Sequence, residues 1–292
     1  MIGHYIANTI MLSWRMTREI CEKQEVENGF KQAFDDYDNL WERHPFELES
    51  DDAIIKGEYI VNPDNLGERK KVAIICHGLS AIRYADLKYG KMFYDKGYNL
   101  VIFDERYFGE SSGQYCTLGW KESEDVKKII EYTRLVFGDD AFIGLHGESM
   151  GGATVCNVLD TEKVDFVVAD CPFSDAGLLM KDLAFKKAFI LGGPARMVAK
   201  RVGMKRYGYD YSKVVPINSV AVSDVPICFM HGKKDLLIDC KHSEAMIKVC
   251  KNPLSEIHLF EGADHAQSVV VAPNRYEQIM MDFVKKVETE KY

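Results

Sequence analysis

The 292-residue sequence contains no apolar run of about 18 residues, the length that an α-helix needs to cross a membrane. It also has no excess of basic residues, because 37 lysines and arginines are set against 45 aspartates and glutamates. The resulting net charge of -8 provides no general attraction for nucleic acids or anionic lipids. We therefore expect neither a membrane span nor a nucleic-acid partner.

Paired cysteine motifs are absent too, although the chain has eight cysteines. They are scattered over its whole length, and Cys76 and Cys228 lie within short apolar runs. Isolated cysteines of this kind are typical of buried free thiols and not of a disulfide framework or a metal motif. Because free thiols persist in reducing compartments, and the N-terminus lacks the residue order of a signal peptide, we expect a cytoplasmic protein.

Short apolar runs alternate with amphipathic segments through most of the chain. Such alternation predicts an α/β fold with a mainly parallel sheet of about eight strands, flanked by helices on both faces. The turn at 62–67 is expected to act as a hairpin loop between the first two predicted strands. The predicted strands cover residues 53–61, 72–76, 99–103, 141–145, 164–169, 225–230 and 256–260.

Two regions depart from this alternation. Residues 1–45 precede every strand signal and carry a helical pattern, so we predict an N-terminal helical extension followed by a main domain over 46–292. An apolar and aromatic stretch at about 175–212 is inserted between two predicted strands. We expect it to form a helical cap over the carboxyl edge of the sheet, where ligands of such sheets bind; an extra pair of packing helices is the alternative. Its aromatic residues, which either line a pocket or pack the cap, are Phe185, Phe189, Tyr207, Tyr209 and Tyr211.

The most informative motif is Gly147-Glu148-Ser149-Met150-Gly151. It lies between the apolar run 141–145 and a helix-compatible run at 152–159, which is the strand–turn–helix context of a nucleophile elbow. On so tight a turn the serine is strained, and neighbouring backbone occupies the space of a Cβ at the two glycine positions. The motif is weak by itself, but this context predicts that Ser149 is a catalytic nucleophile.

A catalytic serine needs a base, and the base needs an orienting carboxylate. Both are found downstream, because Asp235 and His265 each follow an apolar run closely. The order Ser149, Asp235, His265 is the one expected after such an elbow. We predict that these three residues form a catalytic triad.

Other acids and histidines of the chain are less well placed for these roles. Asp239 is better placed to cap the helix that begins near Cys240, and Asp264 is too close to His265 in sequence to span its imidazole easily. A histidine at a buried strand end, such as His77, is more often a structural hydrogen-bonding group than a base. We expect four further histidines to be surface or packing residues: His4, His44, His242 and His258.

Acyl transfer also requires two donors for the developing oxyanion. The amide of Met150, directly after the nucleophile, is the first predicted donor. The second is expected in the turn after the run 72–76, where Gly78 permits a tight turn and the amide of Leu79 is the predicted donor. No metal-ligand cluster, dinucleotide fingerprint or phosphate-binding loop is visible, so we expect no cofactor and no metal.

These motifs together resemble those of the α/β-hydrolase superfamily, over about residues 45 to 290. The resemblance rests on His77-Gly78, 104–111, 147–152, 231–235 and Asp264-His265. It is closest to bacterial carboxylesterases and single-domain prolyl-oligopeptidase-like hydrolases. It implies an α/β-hydrolase fold, and for the segment 104–111, which is similar to the family's Asp-x-Arg-x-x-Gly-x-Ser loop, a structural role near the pocket.

The implied function is hydrolysis of a small carboxylic ester by a serine hydrolase that forms an acyl-enzyme. A peptidase or amidase of the same fold is the alternative within enzymes. A member that only binds a ligand is the alternative outside them. The serine at position 149 argues against dehalogenase or epoxide hydrolase chemistry, which uses an aspartate at the elbow. A homodimer through the N-terminal helix or the cap is a further possibility.

Overall fold

An eight-stranded sheet forms the centre of the computed structural model, which describes residues 12–188 and 209–291. The strand order across the sheet is β1-β2-β4-β3-β5-β6-β7-β8. All pairs from β4 to β8 are parallel, whereas β2 pairs antiparallel with both β1 and β4. The strands are β1 (Glu42–Ser50), β2 (Ala53–Val61), β3 (Lys71–Cys76), β4 (Asn99–Phe103), β5 (Phe142–Glu148), β6 (Phe166–Asp170), β7 (Ile227–Gly232) and β8 (Glu256–Phe260).

Helices connect most of the strands and cover the sheet. Short 3-10 turns at Arg83–Asp86, Val158–Asp160 and Tyr211–Lys213 extend the connections. In the two described ranges the α-helices are α1 (Arg18–Glu27), α2 (Lys31–Asn39), α3 (Leu87–Tyr94), α4 (Trp120–Phe137), α5 (Met150–Asn157), α6 (Ala176–Ala188), α7 (Pro216–Val222), α8 (Lys241–Ile247), α9 (Ser268–Val271) and α10 (Pro273–Lys291).

Two hydrophobic clusters lie on opposite faces of the sheet. In β3, Ala73 and Ile75 pack with α1, α2, α3 and α10, whereas Val72, Ile74 and Cys76 pack with α4, α5, α7 and α8. Because both faces of the central strands are buried, these strands are apolar at nearly every position. The predicted α/β fold with a mainly parallel, doubly covered sheet is therefore confirmed.

The predicted hairpin around the turn 62–67 is wrong. Strand β2 pairs with β1 and β4, and β3 lies on the far side of β4. The hairpin is formed by β1 and β2, which only Asp51 and Asp52 separate, and Asp51 takes a positive φ of 49° there. Strand β1 was not among the predicted strands because it is a charged edge strand in which Phe46 and Ser50 are the only buried residues.

The N-terminal helices are part of the fold. Helices α1 and α2 bury Cys21, Phe34 and Tyr37 against the same cluster as α3 and α10. The segment before them reaches the loops at the carboxyl edge of the sheet, where the carbonyl of Ser13 accepts a hydrogen bond from the Tyr107 hydroxyl at 3.1 Å. The extension is thus joined to the main domain at both its helices and its leading segment.

All eight cysteines are free thiols, and six of them are buried, as their isolated positions predicted. No helix in the parts of the chain described by the structure combines the length and apolarity needed to cross a bilayer.

Candidate active site

The turn between β5 and α5 holds Ser149 in a strained backbone conformation, with φ 57° and ψ -112°. Close packing explains the two glycines beside it. A Cβ at Gly147 would lie 2.4 Å from the carbonyl of Gly151, and a Cβ at Gly151 would lie 2.0 Å from the carbonyl oxygen of Cys76. Any side chain at either position would force the backbone apart, so the steric reason given for the motif is confirmed.

The structure brings the three predicted triad residues together. The Ser149 Oγ lies 2.7 Å from Nε2 of His265, and Nδ1 of His265 lies 2.7 Å from Oδ2 of Asp235. Asp235 follows β7 and His265 follows β8, so the carboxyl ends of neighbouring parallel strands deliver both side chains to the elbow.

The hydrogen bonds also determine which imidazole nitrogen carries the proton. An ionised carboxylate only accepts, so Nδ1 of His265 donates to Asp235. In the neutral ring Nε2 is then unprotonated and accepts from the Ser149 hydroxyl. This is the arrangement in which an imidazole can remove a proton from a serine.

Asp235 is held as an anion despite being buried. Burial by itself would raise the pKa of this carboxyl, but hydrogen bonds from His231 and His265 hold its pKa well below the usual range. The amides of Leu237 and Ile238 donate to Oδ1 at 2.8 and 2.7 Å and support the same charge. Several donors directed at one carboxylate stabilise its ionised form.

The charge of Asp235 in turn shifts the pKa of His265. Burial alone would lower the pKa of this imidazole, but the hydrogen bond and negative charge of Asp235 raise it above the ordinary value. The nearby carboxyls of Glu148 and Asp170 act in the same direction. His265 is therefore a stronger base here than a free imidazole in water.

His231 is a residue of the site whose role the sequence did not reveal. Its Nε2 lies 2.9 Å from the carbonyl oxygen of Ile238 and 3.3 Å from Oδ2 of Asp235. Because a carbonyl only accepts, Nε2 carries the proton, and Nδ1 accepts from the Ser243 hydroxyl at 2.8 Å. The fully buried ring thus ties the loop of Asp235 to α8.

The alternative acids have other partners. Asp239 accepts the amide hydrogen of Lys241, the first residue of α8, at 3.0 Å, as a capping residue would. Asp264 accepts from the amides of Leu236 at 2.9 Å and His265 at 2.7 Å. The Asp264 carboxylate therefore joins the loops that carry Asp235 and His265.

The two predicted oxyanion donors belong to segments that adjoin Ser149. Met150 is the first residue of α5, and amides in the first turn of a helix have no intrahelical acceptor. The turn after β3 is adjacent, because a Cβ at Gly78 would lie 3.5 Å from Cβ of Ser149. Leu79 follows Gly78 in that turn. The oxyanion role of both amides stays a prediction.

His77 is a structural group, as its place at a strand end suggested. Its Nε2 accepts the amide hydrogen of Glu105 at 2.9 Å, so Nδ1 carries the proton and donates to the carbonyl of Gly78 at 2.8 Å. Complete burial lowers the pKa of this imidazole and keeps it neutral. The ring thereby fixes the turn that carries Leu79.

The segment 104–111 is held by internal polar contacts. The Asp104 carboxylate accepts from the amides of Arg83 at 2.8 Å and Glu110 at 2.9 Å and pairs with the Arg83 guanidinium. Gly109 has a φ of 50°, and a Cβ there would lie 2.2 Å from the Asp104 carboxylate. These contacts are those of a structural loop, in keeping with the role that the resemblance implied.

The described part of the predicted cap lies at the carboxyl edge of the sheet. Residues Leu179 and Met180 of α6 pack with Met150, the residue after Ser149. Tyr209 and Tyr211 are buried in the same cluster, which favours packing over pocket lining for these two rings. The other three aromatic side chains of the predicted cap, Phe185, Phe189 and Tyr207, lie outside what the structure describes.

In the described ranges, two clusters of three side chains could each offer ligand atoms to a metal ion. Within each cluster these atoms lie within 4.8 Å of one another. One cluster is Cys171 with Asp235 and His265, and the other is Cys228 with Glu256 and His258. In the first, the imidazole and carboxylate already bond each other, and burial raises the pKa of the Cys171 thiol. In the second, Glu256 bonds His258 at 3.0 Å and pairs with the Lys286 ammonium at 3.0 Å. These contacts account for both groups, and we assign no metal to them. That the protein needs no cofactor stays a prediction.

Comparison with known proteins agrees with this geometry. A sequence profile of the alpha/beta hydrolase fold matches residues 72–199. The Bacillus subtilis protein YqkD is 27% identical over 97% of this chain and 92% of its own length. The thiohydrolase aneE of Aspergillus aculeatus is 29% identical over 58% of this chain and 54% of its own.

Solved structures show the same architecture. The esterase Pf2001 of Pyrococcus furiosus superimposes with a TM-score of 0.68 and 24% identity, over 86% of this chain and 95% of that one. The sheet order and the superposition together show that this chain has the α/β-hydrolase fold, and residues 72–199 match the sequence profile of that fold.

Proposed function

We propose that this protein hydrolyses carboxylic esters through an acyl-enzyme formed on Ser149. The observation that carries the proposal is the continuous chain of hydrogen bonds from Ser149 through His265 to Asp235, each 2.7 Å long. The likeness to an esterase and to a thiohydrolase supports acyl transfer as the class of reaction.

In the first half-reaction, the Ser149 hydroxyl gives its proton to Nε2 of His265 while its oxygen attacks the ester carbonyl carbon. The resulting oxyanion accepts hydrogen bonds from the amides of Met150 and Leu79. The intermediate then collapses, and the bond to the alcohol oxygen breaks. The imidazolium returns its proton to that oxygen, so the alcohol leaves and the acyl group remains on the serine.

In the second half-reaction, a water molecule gives a proton to Nε2 of His265 and attacks the acyl carbon. Collapse of this second intermediate breaks the bond to the Ser149 oxygen, which recovers its proton from the imidazolium. Asp235 remains ionised throughout and stabilises the imidazolium in both halves. The products are a carboxylic acid and an alcohol, and the enzyme is restored.

A fluorophosphonate probe tests the nucleophile directly. We expect it to label the protein at Ser149, and Ser149→Ala to lose labelling and to lower kcat/KM for p-nitrophenyl esters by at least about 10³-fold while the fold is retained. A folded, unlabelled wild-type protein would identify it as a member that only binds a ligand. Turnover by Ser149→Ala within about tenfold of wild type would move the chemistry elsewhere.

A substrate panel distinguishes ester from amide hydrolysis. Rates should be measured for p-nitrophenyl esters of increasing acyl length, for an acyl thioester and for aminoacyl anilides. We expect kcat/KM to be higher for esters than for anilides. Faster cleavage of the anilides would establish the peptidase or amidase alternative. A location in a reducing compartment is proposed as well, supported by the eight free thiols.

A further inference from the structure

A buried lysine connects the N-terminal extension to the nucleophile elbow. The Lys88 ammonium on α3 lies 3.0 Å from Oε1 of Glu25 on α1 and 3.4 Å from Oε2 of Glu148 at the end of β5. The side chains of Lys88 and Glu25 are each 5% exposed, and that of Glu148 is 11% exposed. Burial alone would lower the pKa of Lys88, but the charges of Glu148 and Glu25 raise it, so the lysine stays charged.

Glu148 is the residue immediately before Ser149, and its side chain is fixed at the site. Its Oε2 accepts the hydroxyl hydrogen of Tyr89 at 2.6 Å. Its Oε1 lies 3.6 Å from the position that a Cβ on Gly78 would occupy, and Ser149 Cβ lies 3.5 Å from the same point. The carboxylate is therefore next to both the nucleophile and the turn of the second oxyanion donor.

We propose that Glu148 is a positioning residue whose charge stabilises the imidazolium form of His265, and that Glu25 of the N-terminal extension supports that charge through Lys88. This proposal rests on the proposed function, since the imidazolium forms when Ser149 is deprotonated. The N-terminal extension then contributes to the electrostatics of the site through Glu25.

Several other groups share this environment. Asp170 and Asp86 face Glu148, and burial raises the pKa of both of these carboxyls, so they hold their protons more firmly than usual. Among the described residues, the charged and titratable groups that face His265 include Ser149, Asp235, Glu148, Asp170 and Cys171. Those that face Glu148 include Lys88, Tyr89, Asp86, Asp170, Tyr276, His77 and Cys171.

The direction in which each substitution shifts the pKa of His265 follows from the charge that is removed. Glu148→Gln removes a negative charge near His265, so the imidazolium becomes less stable and the pKa of His265 falls. Glu25→Gln leaves Lys88 with Glu148 as its remaining close partner, so the lysine neutralises more of the Glu148 field. The pKa of His265 then falls as well, but by less.

The experiment measures this pKa in two independent ways. The first is an NMR titration of ¹⁵N-labelled imidazoles, with the His265 signals assigned from their loss in His265→Gln. The second is the acidic limb of kcat/KM for a p-nitrophenyl ester. The variants are Glu148→Gln, Glu25→Gln and, as a control with the same charge change, Glu27→Gln, which alters an exposed residue of the same helix.

We expect the His265 pKa to fall most in Glu148→Gln, less in Glu25→Gln and not at all in Glu27→Gln. The value of kcat/KM at acidic pH, divided by its value on the pH-independent plateau, should rise about three- to tenfold in Glu148→Gln. A merely structural role would lower activity at every pH and leave that ratio unchanged. An unmoved imidazole pKa in folded Glu148→Gln would overturn the proposal.

If Glu148→Gln does not fold, Glu25→Gln decides the question. A His265 pKa equal to that of Glu27→Gln would then overturn the proposal, and a lower one would support it. The NMR titration needs no turnover. It therefore separates this proposal from the proposed function, whose failure would show as a folded protein that resists the fluorophosphonate probe.

Discussion

Asp235 and Asp170 lie at the ends of neighbouring strands, and both carboxyls face His265, yet they have opposite properties. Asp235 receives hydrogen bonds from two histidines and two amides, and its pKa is lowered. Asp170 is completely buried, and its Oδ1 has no hydrogen-bond partner among the described residues. Burial, followed by the charge of Glu148, raises the pKa of Asp170 to about 7. Donors, and not depth of burial, decide which carboxyl is ionised.

The largest expected effect is on the triad acid. Asp235→Asn should lower kcat/KM about 10³–10⁴-fold, because His265 loses both its charge partner and its preferred tautomer. The matched control is Asp239→Asn, at an exposed carboxylate four residues away, which should retain activity within about twofold and lose at most about 1 kcal/mol of stability through the cap. Ester hydrolysis measures both. The reverse ranking would make Asp239 the acid.

A smaller effect is expected from replacing His231, a hydrogen-bond donor that distinguishes the environment of Asp235 from that of Asp170. His231→Leu removes a hydrogen bond to Asp235 and leaves the Ile238 carbonyl and the Ser243 hydroxyl without this partner. We expect about tenfold lower kcat/KM and a loss of about 1–3 kcal/mol in urea unfolding. A variant as stable and active as wild type would show that the amides alone hold the acid.

Among the three buried groups Asp235, His231 and Asp170, the smallest effect on activity is expected at Asp170. Its folded pKa of about 7 exceeds the ordinary unfolded value of about 3.9, so folding binds a proton between these pH values and stability falls as pH rises through them. Asp170→Asn cannot ionise. We expect kcat/KM within about tenfold of wild type and, above pH 7, about 1–3 kcal/mol more stability than wild type in urea unfolding. A variant less stable than wild type above pH 7 would mean that the Asp170 carboxylate receives further hydrogen bonds in the folded protein.

The sequence was sufficient to predict the candidate site residues that follow buried strands. Ser149, Asp235 and His265 each stand directly after or close to an apolar run, and parallel strands carry their carboxyl ends to one edge. Topology therefore implied their proximity before any distance was known. The same rule applied to Asp170, which ends β6, but no motif marked it among the acids of the chain.

Contacts between distant parts of the chain could not be predicted. Lys88 stands 63 residues from Glu25 and lies in a helix where a lysine normally indicates a solvated face. Nothing in the spacing of Glu25, Lys88 and Glu148 marks them as partners. Pairing of β2 with β4 was missed for a related reason, since sequence neighbours were expected to be sheet neighbours and the true hairpin partner is a charged edge strand.

The separation of Ser149 and His265 along the chain has a consequence for biosynthesis. His265 follows Ser149 by 116 residues. At about 5–20 residues per second, a ribosome needs roughly 6–23 s to add His265 once Ser149 has been made. Every nascent chain thus carries Ser149 before His265, the base of the proposed mechanism, exists. Acylation of Ser149 by the proposed mechanism must wait until the last strand of the sheet has been translated and has taken its place.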